Sequence, residues 1–162
     1  MQVSETEFKQ ALSLWASGVS VVTTQSAQFG LQGMTVTAFS SVSLQPPQIL
    51  VCLNSNADTL QGIDDSGVFA VNILSANQQS SSNQFAGGSS QALRFADNAW
   101  QAAENGSPLL TDSLVSLACR VVDKVRAGSH WIVIGAVEQS VCRQAEPLLY
   151  YQGGYRTLAC KE

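Results

Sequence analysis

Residues 33–59 read GMTVTAFSSVSLQPPQILVCLNSNADT and place two β-type apolar runs on either side of one Pro-Pro pair. Proline blocks helix formation and has no amide proton, so Pro46-Pro47 predicts a loop. Before this loop, Val36 and its neighbouring threonines predict a strand from Leu31 to Phe39, and after it the segment Gln48 to Leu53 predicts the next strand. The stretch is also rich in small hydroxyl side chains, namely Thr35, Thr37, Ser40, Ser41, Ser43 and Thr59.

The segment that precedes this stretch predicts a helix followed by a β-hairpin. Ser4 and Glu7 have the spacing of a capping box, and apolar residues recur at helical spacing on one face until Gly18, which predicts a helix from Glu5 to Ser17. The run Val19 to Thr24 is rich in β-branched residues, and a turn at residues 27–30 joins it to the strand that begins at Leu31. The apolar residues of the helix face are Phe8, Ala11, Leu12 and Trp15.

The second half of the chain continues with short elements. Asp58 as an N-cap and Gly67 as a C-terminal stop predict a short helix that leads into a strand at Val68–Leu74. Ser75 with Gln78 repeats the capping-box spacing and predicts a helix that ends in the Gly/Ser-rich loop at residues 86–90. Two further strands, Leu114–Val125 and Trp131–Gln139, predict a second hairpin around residues 127–129. Short strands at close spacing with few helices favour a small barrel, so we expect a mainly β fold with flanking helices.

Composition limits the possible functions. A chain of 162 residues fits one domain, which we take to span residues 1–162. Charged residues make up 12% of the chain against a usual share of roughly 25%, which favours burial of surface in an oligomer. The net charge of −4 and the absence of a basic cluster argue against nucleic-acid binding.

Location and metal chemistry are also constrained. Residues 1–10 lack the basic start and apolar core of a secretory signal, and the apolar runs are too short for a membrane span, so we expect a cytoplasmic protein. Four cysteines, Cys52, Cys119, Cys142 and Cys160, are widely spaced and accompany a single histidine. This pattern predicts reduced, mostly buried thiols and no metal site.

The hydroxyl-rich stretch indicates a flavin site. A flavin combines a flat apolar ring, a hydrogen-bonding edge and, in its nucleotide forms, a phosphate, and small hydroxyls and backbone amides suit these groups better than bulky side chains. Neither a GxGxxG motif nor a phosphate-binding loop of the Walker type occurs in the sequence, so a separate Rossmann-type nucleotide site is not expected.

Ordered motifs along nearly the whole chain resemble the flavin reductase family. They are GMTVTAFSSVSLQPP, ILVCLN, SGVFAVNIL, QFAG, RF, GSPLL, HWIVIG and PLLYY, at positions 33–47, 49–54, 66–74, 84–87, 94–95, 106–110, 130–135 and 147–151. The resemblance is to the short-chain reductase components of two-component flavin-dependent monooxygenases, of the 4-hydroxyphenylacetate 3-monooxygenase reductase type. It implies an FMN-binding split β-barrel, a homodimer, hydride transfer from NADH or NADPH to FMN or FAD, and delivery of reduced flavin to a partner monooxygenase.

The same resemblance implies a set of flavin-binding residues. The residues are Thr35, Val36, Thr37, Ser40, Ser41, Cys52, Leu53, Asn54, Ala57, Thr59, Phe85 and Arg94. Thr35 to Thr37 would contact the polar edge of the ring, and Arg94 suits a phosphate because a guanidinium binds oxyanions in a bidentate way. Without the motif, the threonines satisfy β propensity and Asn54 is a simple cap.

The only histidine occupies a position that the family associates with nicotinamide binding. The family's Gly-Asp-His reads Gly128-Ser129-His130 here, so the usual acid is replaced by Ser129 and the nicotinamide preference is open. The resemblance implies that His130 and Tyr155 bind the nicotinamide. Tyr155 belongs to a group of three C-terminal tyrosines, with Tyr150 and Tyr151, whose rings can stack on a cofactor or pack in a dimer.

Two other functions remain open from the sequence. One is a split-barrel flavin oxidase that acts on a small substrate, although few basic residues are present to bind a phosphorylated one. The other is a non-catalytic flavin-binding or interaction module that has lost its nicotinamide site at Ser129. For the reductase we expect no catalytic side chain, because the flavin itself accepts the hydride.

Overall fold

The computed structural model describes residues 3–159, which form four helices and twelve strands. The helices are α1 (Glu5–Ser13), α2 (Asp58–Ser66), α3 (Gln79–Ala86) and α4 (Gln91–Ala96). The strands are β1 (Ser17–Gly18), β2 (Ser20–Ser26), β3 (Gly30–Val36), β4 (Phe39–Leu44), β5 (Pro47–Asn54), β6 (Val68–Ile73), β7 (Trp100–Ala102), β8 (Pro108–Leu110), β9 (Val115–Ala127), β10 (His130–Cys142), β11 (Leu149–Tyr151) and β12 (Gly154–Arg156).

Seven antiparallel strands form the main sheet, in the order β3-β2-β6-β9-β10-β5-β4. The sheet curls so that β3, at one edge, approaches β5 near the other. The barrel is therefore closed where β3 and β5 come close together without pairing as neighbouring strands, and a seam remains between them. We call this the β3–β5 seam. A small sheet of β1, β11 and β12 and the hairpin β7–β8 lie outside the main sheet.

The apolar core fills the interior of the curled sheet. Val51, Leu53, Phe69 and Val133 are fully buried in it. Gly135 in β10 is required where Phe69 packs against the backbone, because a Cβ at this position would lie 2.6 Å from the Phe69 ring. The ladder between β9 and β10 shifts register next to the same glycine, between residues 134 and 135.

A buried amide links four segments of the fold. Asn72 in β6 is fully buried, and its Nδ2 donates to the Val21 carbonyl at 3.1 Å and to Thr23 Oγ1 at 3.0 Å. Its Oδ1 accepts from the Leu110 amide at 2.9 Å and from Ser116 Oγ at 2.8 Å. Every hydrogen-bonding position of the amide nitrogen, and both of those on the oxygen, are thus used.

The predicted mainly β fold with flanking helices is confirmed, and so is the capping box at Ser4, where both reciprocal hydrogen bonds form. The predicted end of the first helix at Ser17 is wrong. The helix ends at Ser13, followed by tight bonds from the Leu14 and Trp15 amides to the carbonyls three residues back. Its apolar face is not covered, since Phe8, Leu12 and Trp15 are 56%, 54% and 75% exposed.

Three other local predictions are also wrong. The single strand predicted for Leu31–Phe39 is two strands, because β3 ends at Val36 and the chain turns into β4 at Phe39. Asp58 is the first residue of α2 and not its cap, which is Ala57. The helix predicted to open at Ser75 begins at Gln79, and the Gln78 side chain instead accepts from the Ser75 amide at 3.0 Å in the preceding turn.

The thiols are less uniform than predicted. Cys119 is buried, and burial raises the pKa of its thiol to about 12. Cys52 is half-buried, whereas Cys142 is exposed at the end of β10, and the prediction for Cys160 lies outside the described residues. Within residues 3–159, no group of three potential metal ligands is found, and none of the helices has both the length and the apolar character that a bilayer span requires.

Candidate functional site

The outer edge of β3 carries backbone groups that no strand pairs. At Gly33, a Gln91 side-chain oxygen accepts from the amide at 2.9 Å, and Arg94 Nη1 donates to the carbonyl at 2.8 Å. Both backbone groups of Gly33 therefore point away from β2. In an antiparallel ladder this direction repeats at every second residue, so the amide and carbonyl of Thr35 also point to the open edge. The edge presents both donors and acceptors at the β3–β5 seam.

A cavity of about 200 Å³ lies beside this edge, between the start of α2 and the α3–α4 segment. We call it the Arg94 cavity. Four predicted flavin-binding residues, Ala57, Thr59, Phe85 and Arg94, come together in its wall. The remaining lining residues are Met34, Asn56, Asp58, Ala86 and Gln91.

Arg94 is held rigidly and still has donors to offer. Its Nε donates to the Ser89 carbonyl at 3.2 Å, and its Nη1 donates to the carbonyls of Gly33 and Phe85 at 2.8 and 3.5 Å. Within the described part of the chain, Nη2 donates to no protein acceptor. Two N–H donors of a fixed, half-buried guanidinium are thus available to an anion in the cavity.

The start of α2 supplies further donors to the same cavity. Its N-cap, Ala57, makes no side-chain capping bond, and the Leu60 amide donates to the Ala57 carbonyl at 3.0 Å, so the Asp58 and Thr59 amides keep free hydrogen-bonding capacity within the described part of the chain. Asn54 shapes the loop before the helix by accepting from the Asn56 amide at 2.9 Å. Asp58 also lines the cavity, and its negative charge is opposite in sign to that of Arg94.

A second and larger cavity adjoins the connection between β3 and β4. It has a volume of about 520 Å³, and we call it the Trp15 cleft. Its walls come from the end of α1, the residues after β3 and the β11–β12 turn, and are formed by Lys9, Leu12, Ser13, Trp15, Ser17, Thr37, Ala38, Phe39, Tyr150 and Gly153. The predicted flavin contact Thr37 is exposed in this wall.

Backbone pairing places His130 beside Asn54, two residues before Asn56 in the wall of the Arg94 cavity. It pairs with Asn54 at the end of β5, and two residues earlier in β5 the Cys52 amide donates to the Ala38 carbonyl at 3.1 Å. Ala38, which lines the Trp15 cleft, is therefore separated from His130 by the width of β5 and by two residues along the sheet. Ser129 Oγ lies 2.9 Å from His130 Nδ1, so a hydroxyl orients the imidazole.

Other predicted residues lie in the structure as follows. Val36 and Leu53 are buried in the core, and the Thr35 hydroxyl donates to the Ser82 carbonyl at 2.7 Å, so only the backbone of Thr35 faces the seam. Ser40 and Ser41 are exposed on β4, where Ser40 Oγ donates to the Ser41 carbonyl.

Tyr155 belongs to β12 of the small three-stranded sheet, whereas His130 begins β10 of the main sheet. Its hydroxyl is 2.8 Å from Ser82 Oγ and donates to Asn83 Oδ1 at 2.8 Å, so its polar end is engaged by α3. Of the C-terminal tyrosines, Tyr150 is the one that lines the Trp15 cleft.

Residues 12–159 match the family model described as "Flavin reductase like domain". The chain belongs to the flavin reductase family. The predicted enzyme class, a flavin reductase, and the predicted split-barrel fold are thereby confirmed. The match spans both cavities almost completely, since only Lys9 of their lining residues lies before it.

Three similar proteins illustrate the range of this flavin reductase family. The FMN reductase (NADH) RutF of Methylorubrum populi is 38% identical over 98% of this chain and 83% of its own length. The NADH:FAD oxidoreductase SgcE6 of Streptomyces globisporus C-1027 superposes with a TM-score of 0.91 at 28% identity, covering 100% of this chain and 99% of that one. The nitrilotriacetate monooxygenase component B of Mycobacterium thermoresistibile has a TM-score of 0.88 at 33% identity, covering 96% and 87%.

Some residues that line the two cavities were not predicted from the sequence. Met34 and Gln91 line the Arg94 cavity, and Trp15 and Phe39 line the cleft. The position of Met34 next to the predicted Thr35 was the only available signal. Gln91 and Trp15 enter the site through long-range packing of α4 and α1, which local sequence patterns do not report.

Proposed function

We propose that this protein is an NADH-dependent flavin reductase that binds FMN or FAD and releases reduced flavin for a separate monooxygenase. The reaction moves a hydride from C4 of NADH to N5 of the flavin and yields NAD+ and the anionic reduced flavin. The observation that carries the proposal is the Arg94 cavity, where two free guanidinium donors and the amides of α2 lie beside the unpaired edge of β3.

The residues present fit the chemistry of a flavin nucleotide. Arg94 and the first turn of α2 suit its phosphate, because both offer N–H donors and positive potential. The backbone of Thr35 and the side chain of Thr37 suit the polar edge of the ring. Asn54 orders the loop before α2, and Phe85 forms the apolar wall of the Arg94 cavity.

The first test is anaerobic reduction of FMN and FAD by NADH and by NADPH, followed at the visible flavin band. We expect bleaching with NADH, and a comparison of the four pairs gives the preferred flavin and nicotinamide. Flavin that binds without being reduced by either nicotinamide would contradict a reductase and favour the non-catalytic module.

Replacing His130 with alanine is expected to raise KM for NADH by about tenfold while the flavin Kd changes little. The reason is that the imidazole, exposed beside Asn54 and oriented by Ser129, offers a hydrogen bond to the dinucleotide. The measurement is steady-state kinetics at saturating flavin. An equal loss of flavin affinity would place His130 in the flavin site instead.

Replacing Thr37 with valine is expected to weaken flavin binding by roughly three- to tenfold, because one hydrogen bond to the ring edge is lost. Thr37 is exposed and its side chain makes no hydrogen bond within residues 3–159, so thermal stability should not change. Fluorescence titration with FMN measures the affinity. Ser43→Ala is a control that removes a half-buried β4 hydroxyl outside both cavities, which accepts from the Gln45 amide at 3.2 Å.

The same proposal includes a partner monooxygenase, a homodimer and a cytoplasmic location. A reductase component of a two-component system needs no substrate site beyond those for flavin and nicotinamide, and the 4-hydroxyphenylacetate type remains a prediction. The uncovered apolar face of α1 and the low charge content support a homodimer. The unpaired cysteines at 52, 119 and 142 support a reducing, cytoplasmic location.

A further inference from the structure

The Arg94 cavity has room for a phosphate group but not for a whole nucleotide. Its volume of about 200 Å³ is below the range of roughly 300–1,000 Å³ that is usual for sites of complete small ligands. A flavin nucleotide bound as proposed would therefore place only the phosphate of its ribityl chain in this cavity. That phosphate is a monoester in FMN and a diester in FAD, and riboflavin lacks it, so the three flavins differ in charge at this one position.

The residues that line the Arg94 cavity have no net formal charge. Arg94 contributes a positive charge, Asp58 contributes a negative charge, and the other lining residues are uncharged. Within the described part of the chain, no ion pair joins these two side chains, and the Asp58 carboxylate accepts no hydrogen bond. The charge of Asp58 is therefore not compensated by direct contact, and it would repel an anion that binds to Arg94 in the same cavity.

The position of Asp58 brings this repulsion to bear on any phosphate at the start of α2. Asp58 is the first residue of the helix and precedes Thr59, whose amide is an available donor. An aspartate carboxylate is only one methylene away from the backbone, so every rotamer keeps the charge close to the cavity. The repulsion is proportional to the charge of the anion. A phosphate monoester has a charge of about −1.5 to −2 at neutral pH, whereas a phosphodiester has a single ionised oxygen.

We propose that Asp58 is a specificity-determining residue that weakens the binding of FMN relative to FAD, because it repels the doubly charged monoester more strongly than the diester. This inference rests on the proposed reductase function and assigns the choice between the two flavins to one residue of the site. Arg94 and the amides of α2 attract the phosphate of either flavin, and Asp58 reduces this attraction most for FMN.

The test compares Asp58→Asn with the wild-type protein by fluorescence titration at about pH 8, where the FMN phosphate is doubly charged. We expect the Kd for FMN to fall about tenfold and the Kd for FAD to fall about threefold, while the Kd for riboflavin changes less than about 1.5-fold. Asp58→Glu keeps the charge and should retain the wild-type discrimination. Asp65→Asn is the matched control, because it removes the same charge from the same helix outside the cavity, and it should change none of the three constants.

Simple anions test the same charge effect without a flavin. Sulfate is a dianion and methyl sulfate a monoanion at neutral pH, and both are tetrahedral oxyanions similar in size to phosphate. Each anion is titrated at constant ionic strength and followed by the NMR signal of the Thr59 amide in isotope-labelled protein. Sulfate should bind Asp58→Asn about tenfold more tightly than the wild type, and methyl sulfate about threefold more tightly. This titration tests the inference even if the wild type reduces no flavin, an outcome that would contradict only the proposed function.

Four results would overturn the inference. The first is an equal change, or no change, in the affinities of Asp58→Asn for FMN and FAD. The second is the same gain in Asp65→Asn, which would assign the effect to the net charge of the protein. The third is a parallel change for riboflavin with a lower melting temperature, which would assign Asp58 to the stability of α2, where an acid in the first turn is favourable. The fourth is a Thr59 amide signal that neither anion shifts in either protein, since no anion would then bind in the cavity.

Discussion

Asn72→Ala is expected to lower the free energy of unfolding by roughly 3–5 kcal/mol, the largest effect on stability that we predict for a single substitution. The side chain is fully buried and makes four hydrogen bonds that join β6 to β2, β8 and β9. Alanine would leave the Val21 carbonyl and the Leu110 amide without these partners in the interior, where water does not replace them. Urea unfolding followed by circular dichroism measures the change.

Two variants make this test specific. Asn72→Asp keeps the shape and the acceptor oxygen but cannot donate to Val21 unless it is protonated, so it should also be strongly destabilised. Asn83→Ala removes an exposed amide with a single hydrogen bond, from Tyr155, and should cost less than about 1 kcal/mol. Equal stabilities for the alanine variants at residues 72 and 83 would show that the buried network contributes nothing.

Arg94→Ala is expected to weaken FMN binding by roughly 30- to 100-fold, since a charge-assisted hydrogen bond to a phosphate contributes about 2–3 kcal/mol. Arg94→Lys keeps the charge but lacks the planar fork, and we expect it to recover only part of the affinity. Fluorescence titration with FMN and with riboflavin provides the measurement. Riboflavin has no phosphate, so its affinity should fall much less than that of FMN.

Arg94 also has a structural role, which the same experiment separates. Its bonds to the carbonyls of Gly33, Phe85 and Ser89 tie the α3–α4 segment to β3. If the substitution only loosens this segment, FMN and riboflavin will lose affinity in parallel and the melting temperature will fall. A parallel loss would contradict the proposed phosphate contact. Arg156→Ala, an exposed arginine whose Nη1 bonds only the adjacent Tyr155 carbonyl, is a matched control.

The predicted elements that succeeded are those with strong local causes. The capping box of α1, the glycine that ends α2 and the long β9–β10 hairpin each follow from residues within a few positions of one another. The helix α4 and the small strands β7, β8, β11 and β12 were not predicted. They are three to six residues long, and their positions depend on packing against the main sheet.

The candidate site likewise contains features that were predicted and features that were not. The family resemblance led to Ala57, Thr59, Phe85 and Arg94, and these residues line one cavity although they come from three different helices or their caps. It did not separate side chains that face the site from those that do not. Thr35 points its hydroxyl to Ser82, and Val36 belongs to the core, because strand alternation and tertiary packing decide these directions.

The unpaired edge of β3 bears on how readily the reaction product leaves. When a ligand leaves a site of buried polar groups that water cannot reach, those groups lose their hydrogen-bond partners. Here the Thr35 amide and carbonyl, which we propose as contacts of the flavin ring, open onto the β3–β5 seam, where water would take over their hydrogen bonds after the ring leaves. When the ring dissociates, hydrogen bonds to water therefore replace its hydrogen bonds to this edge at little enthalpic cost. Such an edge suits a protein that binds and releases its product repeatedly better than one that keeps a permanently bound prosthetic group.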